Sequence, residues 1–169
     1  MAAEELFLTY KQDIEKIASE IYEKYKQHFA DDGVNIIDLT KEVTNYNILY
    51  FENEKDIDND IHGQFKDGHI YIRESDDYEL QRFAIAHELG HILLKHDERK
   101  YLRIKKDDLS MFPDDMDEIK ANLMAINILM PKEQFLQFYK KCNGNRQKLA
   151  YRFFVSEDLV AMRINSLGL

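Results

Sequence analysis

The sequence predicts an α+β protein that is mostly helical, with a small antiparallel three-stranded sheet before its central helix. Three observations support this fold class. Long segments carry apolar residues at three- and four-residue steps, which is typical of amphipathic helices. The dipeptide Asp67-Gly68 separates two strand-like segments and accepts the positive φ angles of a hairpin turn. A basic tail with its own helical pattern predicts a small C-terminal helical subdomain.

Composition limits the classes of protein to consider. The chain has 169 residues, of which 44% are hydrophobic and 33% charged, which is typical of a soluble globular protein. We expect one main domain at 1–131 and a subdomain at 132–169. The single cysteine, Cys142, excludes an internal disulfide. No apolar run reaches the roughly 20 residues of a membrane span, and the acidic N-terminus is unlike a signal peptide. A cytoplasmic location without membrane contact follows.

Charge is unevenly distributed. The formal net charge is −9, yet residues 132–169 carry seven Lys or Arg against three acids. The acidic charge of residues 1–131 argues against general nucleic-acid binding. The basic charge of residues 132–169 leaves nucleic-acid binding open for the C-terminal subdomain alone.

The first half of the chain alternates helix and strand signals. Residues 3–29 carry an amphipathic helical pattern, and 34–46 predict a second, short helix. Residues 47–51 are rich in strand-forming side chains. Residues 52–60 predict a solvated acidic loop. The hairpin then pairs 61–65 with 69–73, giving about three strands in total.

A strongly apolar helix follows the hairpin. Asp76 with Glu79 predicts its N-terminal cap, and Ser75 is an alternative cap. Gly90 costs roughly 1 kcal/mol of helix propensity relative to alanine, so we expect a close backbone approach there. The apolar positions are near helical spacing: Leu80, Phe83, Ala84, Ala86, Leu89, Ile92 and Leu93.

This helix contains the pattern His-Glu-x-x-His at residues 87–91. Residues four apart lie on one helix face, so His87 and His91 can share one tetrahedral Zn²⁺. Glu88 is the general base that this motif supplies in metalloproteases. A chance match would leave two buried histidines in need of polar partners, which makes that alternative the weaker one.

A catalytic zinc has three protein ligands and one open position. Glu118 begins a second helix that runs to Pro131 and could pack against the first. Its acidic neighbours Asp114, Asp115 and Asp117 compete with it, and spacing alone does not choose. A solvent-exposed acid at a helix N-terminus is the simplest alternative for each of them.

Residues 87–91, together with Glu118-x-x-Ala-Asn-x-x-Ala-x-x-x-Leu-Met-Pro, resemble the ImmA/IrrE family of zinc metallo-endopeptidases. The hairpin before the motif helix fits the same family, and the similarity covers roughly 63–131. The resemblance implies a zincin-like domain in which His87, His91 and Glu118 bind zinc and Glu88 is the base. It also implies that Asn122 orients the site from outside the ligand shell. Two imidazoles and a carboxylate also accept Mn²⁺ or Fe²⁺.

Peptide cleavage needs a hydrogen-bond donor for the developing oxyanion besides the metal. The candidates are Tyr71, His69, Arg73 and His96, and the sequence does not choose among them. An edge strand near the metal could pair with extended peptide, which makes 63–73 the expected substrate-facing stretch. Residues 95–117 predict a loop or short helix at the cleft rim.

The tail at 146–163 carries a helix, turn, helix pattern in which Ser156 caps the second helix. One hypothesis is DNA binding through Arg152 and Arg163. We favour the alternative, a helical subdomain packed beside the main domain or docking a protein partner, because the chain is acidic and few basic residues are available on the second helix. Its expected core is Leu149, Ala150, Phe153, Val155, Val160 and Ile164.

The resemblance implies a narrow substrate. Members of the family cleave helix-turn-helix transcriptional repressors, often encoded beside them in phages, mobile elements or stress regulons. We therefore expect an intracellular, site-specific zinc endopeptidase that relieves repression. A second hypothesis is a regulatory or antitoxin-like metal-binding partner protein with little or no proteolysis.

Overall fold

A computed structural model gives the fold and describes residues 3–30, 33–52, 62–96 and 116–169. Most of the predicted acidic loop at 52–60 and of the predicted rim segment at 95–117 lies outside these ranges. In the described parts of the chain, seven α-helices surround one three-stranded sheet and one two-stranded sheet. The helices are α1 (Ala3–Lys24), α2 (Ile36–Thr44), α3 (Tyr78–Leu93), α4 (Met116–Leu129), α5 (Lys132–Lys141), α6 (Arg146–Phe153) and α7 (Glu157–Leu167).

The strands are β1 (Phe29–Ala30), β2 (Gly33–Val34), β3 (Asn47–Phe51), β4 (Gly63–Lys66) and β5 (His69–Arg73). The first helix is therefore shorter than the sequence predicts. After Lys24 the chain forms a 3₁₀ turn at Lys26–His28 and then enters β1, which pairs with β2.

The hairpin of β4 and β5 is confirmed. Its turn residues Asp67 and Gly68 have φ angles of 51° and 75°, the left-handed pair that a two-residue hairpin loop requires. The prediction of an all-antiparallel sheet is wrong. The strand order is β3-β5-β4, and β3 runs parallel to β5. Strand β5 therefore lies between β3 and β4, and β4 forms an edge of the described sheet.

Helix α3 is the centre of the fold. Every residue from Arg82 to His91 is buried, so the helix is enclosed on all sides and has no solvent-facing stripe. Its N-terminal cap is Asp77, whose side chain accepts from the backbone amide of Leu80. The predicted cap Asp76 instead bonds His62 Nδ1 at 2.7 Å, so it links the hairpin to the start of the helix.

The C-terminal helices pack on this centre. Ser156 caps α7 as predicted, because its hydroxyl accepts from the amide of Leu159. The predicted core residues of the tail are all buried and belong to the same hydrophobic cluster as α3 and α4. The division at residue 131 into two structural units stays a prediction. Among the described helices, none is long and apolar enough to cross a membrane.

Candidate metal centre

Close packing of α3 against α4 positions the site. A Cβ added at Gly90 would lie 3.0 Å from the carbonyl oxygen of Ala121 and 3.2 Å from its Cα. Real Cβ atoms rarely tolerate such contacts, so only glycine permits this helix separation. The close approach expected from the cost of a mid-helix glycine is therefore present. It brings the first turn of α4 beside the imidazoles of α3.

Three side chains converge at this contact. His87 Nε2 and His91 Nε2 lie 2.7 Å apart, as their four-residue spacing on one helix face predicts. Glu118 Oε2 lies 3.1 Å from the first nitrogen, and its Oε1 lies 3.5 Å from the second. One ligand atom from each residue lies within 4.8 Å of the other two.

This donor set fits a divalent cation. Two ligand atoms that are each about 2.0–2.1 Å from a tetrahedral zinc lie roughly 3.3 Å from one another. The observed separations of 2.7, 3.1 and 3.5 Å bracket that value. Two imidazoles and a carboxylate also match the ligand count of a catalytic site with an open position. The histidine side chains are 0% and 2% exposed and that of Glu118 16%, so the open side lies near the carboxylate.

The other nitrogen of each imidazole has its own partner. Asn122 Oδ1 lies 2.7 Å from His87 Nδ1 and accepts its proton. This fixes the tautomer, so that the Nε2 lone pair faces the cluster. Asn122 thus contacts one imidazole of the cluster, and its role in orienting a metal site stays a prediction.

His96 supports the second imidazole. Lys95 has a φ of +58°, and the amide of His96 bonds the carbonyl of His91 at 3.0 Å, which together form a Schellman turn at the end of α3. The turn folds His96 back, so that its Nδ1 lies 2.9 Å from His91 Nδ1. Its Nε2 is 3.6 Å from Asp117. His96 was a candidate for oxyanion stabilisation, but this contact makes it a positioning residue for His91.

The charges at the cluster favour cation binding. Burial alone would raise the pKa of Glu118, but hydrogen bonds from both imidazoles outweigh it and hold that pKa well below its usual range. Burial lowers the pKa of His87, and contact with Glu118 opposes that shift. The carboxylate is thus ionised and the imidazole tends to be neutral, which are the forms that bind metal.

Glu88 lies next to the cluster and is 1% exposed. Neither of its carboxylate oxygens makes a hydrogen bond within the described residues. Burial raises its pKa well above the ordinary value, and the charge of Glu118 raises it further. The nearby amide of Phe65, short of hydrogen-bond geometry, acts in the opposite direction. Gly63 covers this carboxylate, since a Cβ there would lie 3.3 Å from Glu88 Oε1.

Three predicted oxyanion candidates lie on the wrong side of the sheet. Gly63, which faces Glu88, pairs directly with Ile72, so the even-numbered residues of β5 face α3. Side chains alternate along a strand, which directs the odd-numbered ones to the opposite face. Those are His69, Tyr71 and Arg73. The alternation of Ile70 and Ile72 with more polar residues is the signal in the sequence that could have shown this.

The structure decides between some of the acidic residues that were considered as the third metal ligand. Asp117 lies beside His96 and Lys120, outside the three-residue cluster. Asp114 and Asp115 lie outside the described residues. Glu118 is therefore the carboxylate that the described structure brings to the two imidazoles.

The two arginines considered for DNA binding make contacts within the protein. Arg163 is 0% exposed and donates to Asn127 Oδ1 at 2.9 Å, which joins α7 to α4. Burial lowers its pKa to about 10, so it remains charged at neutral pH. The guanidinium of Arg152 lies 5.2 Å from the ring of Phe153, and its Nη1 is buried. The DNA hypothesis loses Arg163 as a contact, and binding through the partly exposed Arg152 stays a prediction.

The buried HExxH helix and a carboxylate from the next helix bring together three side chains that could hold a metal ion. Residues 32–165 match the family model described as the IrrE N-terminal-like domain, Peptidase M78. The match spans most of the chain, so the protein belongs to this family. Its resemblance to ImmA/IrrE proteins is thereby confirmed.

One solved structure, a Mycobacterium tuberculosis transcriptional regulator, has a similar fold. Its TM-score is 0.66 at 12% sequence identity, over 90% of this chain and 46% of the regulator. This chain thus spans about half the length of that protein, and the likeness concerns the fold alone. The search of curated proteins returned no match.

Proposed function

We propose that this protein is a cytoplasmic, site-specific zinc metallo-endopeptidase. The observation that carries the proposal is the convergence of His87, His91 and Glu118 beside the buried carboxylate of Glu88. Family membership adds independent support, since the matching model is that of a peptidase family.

The residues divide the chemistry among them. A divalent cation held by the two imidazoles and Glu118 would acidify a bound water and polarise a peptide carbonyl. Glu88 accepts the proton of the attacking water and later delivers it to the leaving amine. Burial raises the pKa of Glu88, which favours acceptance of the proton from the water. Asn122 and His96 hold the imidazoles in the required orientation.

Strand β4 is the proposed substrate-binding edge. It has one hydrogen-bonded neighbour, β5, within the described residues. Gly63 and Phe65 of this strand face α3, where Gly63 covers Glu88 and Phe65 stacks on His91 at 6.0 Å between ring centres. An extended peptide that adds to β4 would run past the metal centre and exchange backbone hydrogen bonds with the edge.

The proposed substrate is a helix-turn-helix transcriptional repressor encoded near this gene in a phage, mobile element or stress regulon. The family resemblance supports this choice. Cleavage of such a repressor would relieve repression of its operon.

A second candidate is a regulatory or antitoxin-like metal-binding partner with little or no proteolysis. The burial of Glu88 favours it, because a base that is 1% exposed needs an adjustment of β4 before it meets water and substrate. In that case the repressor would bind without being cut.

One assay separates the two. Zinc-loaded protein is incubated with the purified repressor from the neighbouring gene, with and without a chelator. We expect discrete, chelator-sensitive fragments from the wild type and none from Glu88→Gln, which retains its metal. Glu79→Gln, an exposed change on the same helix, is the matched control and should cut normally. A stable uncut complex with zinc-loaded wild type would overturn the peptidase proposal.

A further inference from the structure

A second cleft lies against the N-terminal half of α3, away from the metal centre. It has a volume of about 520 Å³, which is within the range of small-molecule sites. Its walls come from the start of α2, from α3 and from the turn between α6 and α7. The cleft therefore lies where three parts of the fold meet.

Arg82 forms one wall of this cleft and is 5% exposed. Its Nε donates to the carbonyl of Phe154 at 3.2 Å, and its Nη1 donates to the carbonyl of Val34 at 2.9 Å. Within the described residues its Nη2 makes no hydrogen bond, and no carboxylate there forms an ion pair with this guanidinium. The Tyr78 side chain interacts with the guanidinium, short of hydrogen-bond geometry. A buried donor without an acceptor is unfavourable, so this group has room for an acceptor that the described residues do not supply.

The N-terminus of α2 adds to the same positive region. Its cap Asn35 accepts from the amide of Asp38. Ile36 and Ile37, the first two residues of the helix, line the cleft, and their amides have no acceptor within the part of the chain described. A helix N-terminus carries a partial positive charge. A guanidinium beside it is unfavourable unless an anion lies between them.

Aromatic rings complete the walls. Tyr78 and Phe154 lie 5.6 and 6.0 Å from the Arg82 guanidinium and contact each other edge to face. Tyr50 lines the same cleft and is 47% exposed. These rings offer apolar faces to the body of a ligand whose charged end reaches the arginine.

We propose that this cleft binds a singly charged carboxylate attached to an aromatic body. A carboxylate supplies acceptors for Arg82 Nη2 and the amides of α2, and the rings pack on the rest of the ligand. We expect the ligand to carry one negative charge, because Arg82 is the one Lys or Arg among the described lining residues. A dianion would retain an unbalanced charge in a partly dry site.

The carboxylate and the aromatic ring could belong to a free aromatic acid or to the C-terminus of a peptide that ends in an aromatic residue. In either case the ligand would tie α2, α3 and the α6–α7 turn together. The cleft would then act as an effector site on the helix that carries the metal ligands. This inference does not depend on peptidase activity.

The test is an amide NMR titration of the metal-loaded full chain with phenylacetate, using neutral phenylacetamide as the matched ligand. We expect saturable shifts centred on Ile36 and Ile37, with the acid binding at least about tenfold more tightly than the amide. A second pair, the tripeptide Ala-Ala-Phe with a free or an amidated C-terminus, identifies the source of the ligand. A peptide acid that binds more tightly than phenylacetate indicates a peptide end, and the reverse indicates a small molecule.

Variants localise the site. Phe154→Ala and Arg82→Lys should each weaken phenylacetate binding about tenfold or more, while Tyr151→Ala, an exposed ring next to the cleft, should leave it unchanged. Phenylacetate should also raise the melting temperature of the wild type and not that of Phe154→Ala. Equal binding of acid and amide, or shifts confined to residues around His87 and His91, would overturn the proposal.

Discussion

A Cβ at Gly90 would lie 3.0 Å from the carbonyl oxygen of Ala121, so the backbones of α3 and α4 touch at the metal centre. This contact sets how far Glu118 lies from the two imidazoles. The first prediction follows from it. Gly90→Ala should gain about 1 kcal/mol of helix propensity yet lose more through overpacking, with a net destabilisation of about 1–2 kcal/mol.

The same variant should bind zinc at least about tenfold more weakly, because α4 must move away from α3. Urea unfolding and competition with a chromogenic chelator measure the two effects. Ser19→Ala on the exposed face of α1 is the control for helix propensity alone. A variant as stable and as tight-binding as the wild type would show that the helix separation is not limiting.

Asn122 orients His87 through a 2.7 Å contact to Nδ1. Asn122→Ala should lower zinc affinity about 10- to 100-fold, because the imidazole loses the acceptor that fixes its tautomer. Asn122→Asp keeps an acceptor and should recover most of the affinity. If both variants bind zinc equally weakly, the contact matters for packing and not for orientation.

Gly63 leaves space above Glu88. Gly63→Ala would place a methyl group 3.3 Å from Glu88 Oε1 and 3.4 Å from Ala84 Cβ. We expect zinc content to be unchanged and the cleavage rate to fall about tenfold or more, because the base and the adjoining peptide site are crowded. Gln64→Ala, on the opposite face of the same strand, should cut at close to the wild-type rate. Equal rates for Gly63→Ala and wild type would remove β4 from the substrate site.

Arg163 links α7 to α4 through Asn127. Arg163→Ala should lower the free energy of unfolding by about 2–4 kcal/mol, because it leaves a cavity and an unpaired amide oxygen. The exposed Arg146→Ala should change it by less than about 0.5 kcal/mol. Duplex DNA shifted by the wild type and not by an equally stable Arg163→Ala protein would restore the DNA-binding hypothesis.

Several features were predicted correctly from local sequence signals. The Asp67-Gly68 turn depends on two φ angles that this dipeptide supports, and the Ser156 cap depends on one hydroxyl and one amide. The spacing of His87 and His91 fixes a shared helix face. Each of these features is decided within a few residues, so the sequence was sufficient.

Features set by distant contacts were missed. Asp76 and Asp77 are equally good caps by type, and the choice between them depends on His62, which recruits Asp76. The parallel pairing of β3 with β5 is a tertiary choice with no local signature. The position of His96 required the left-handed Lys95 at the helix end, where a non-glycine residue gives a weak signal.

The most direct test of the central claim is the zinc content of the purified chain after equilibrium dialysis. The account predicts one tightly bound ion for each wild-type chain and for Glu88→Gln. It also predicts at least about a hundredfold loss of affinity in Glu118→Gln and His87→Ala, which remove ligands. Wild-type affinity in Glu118→Gln would contradict the three-residue site on which the peptidase assignment depends.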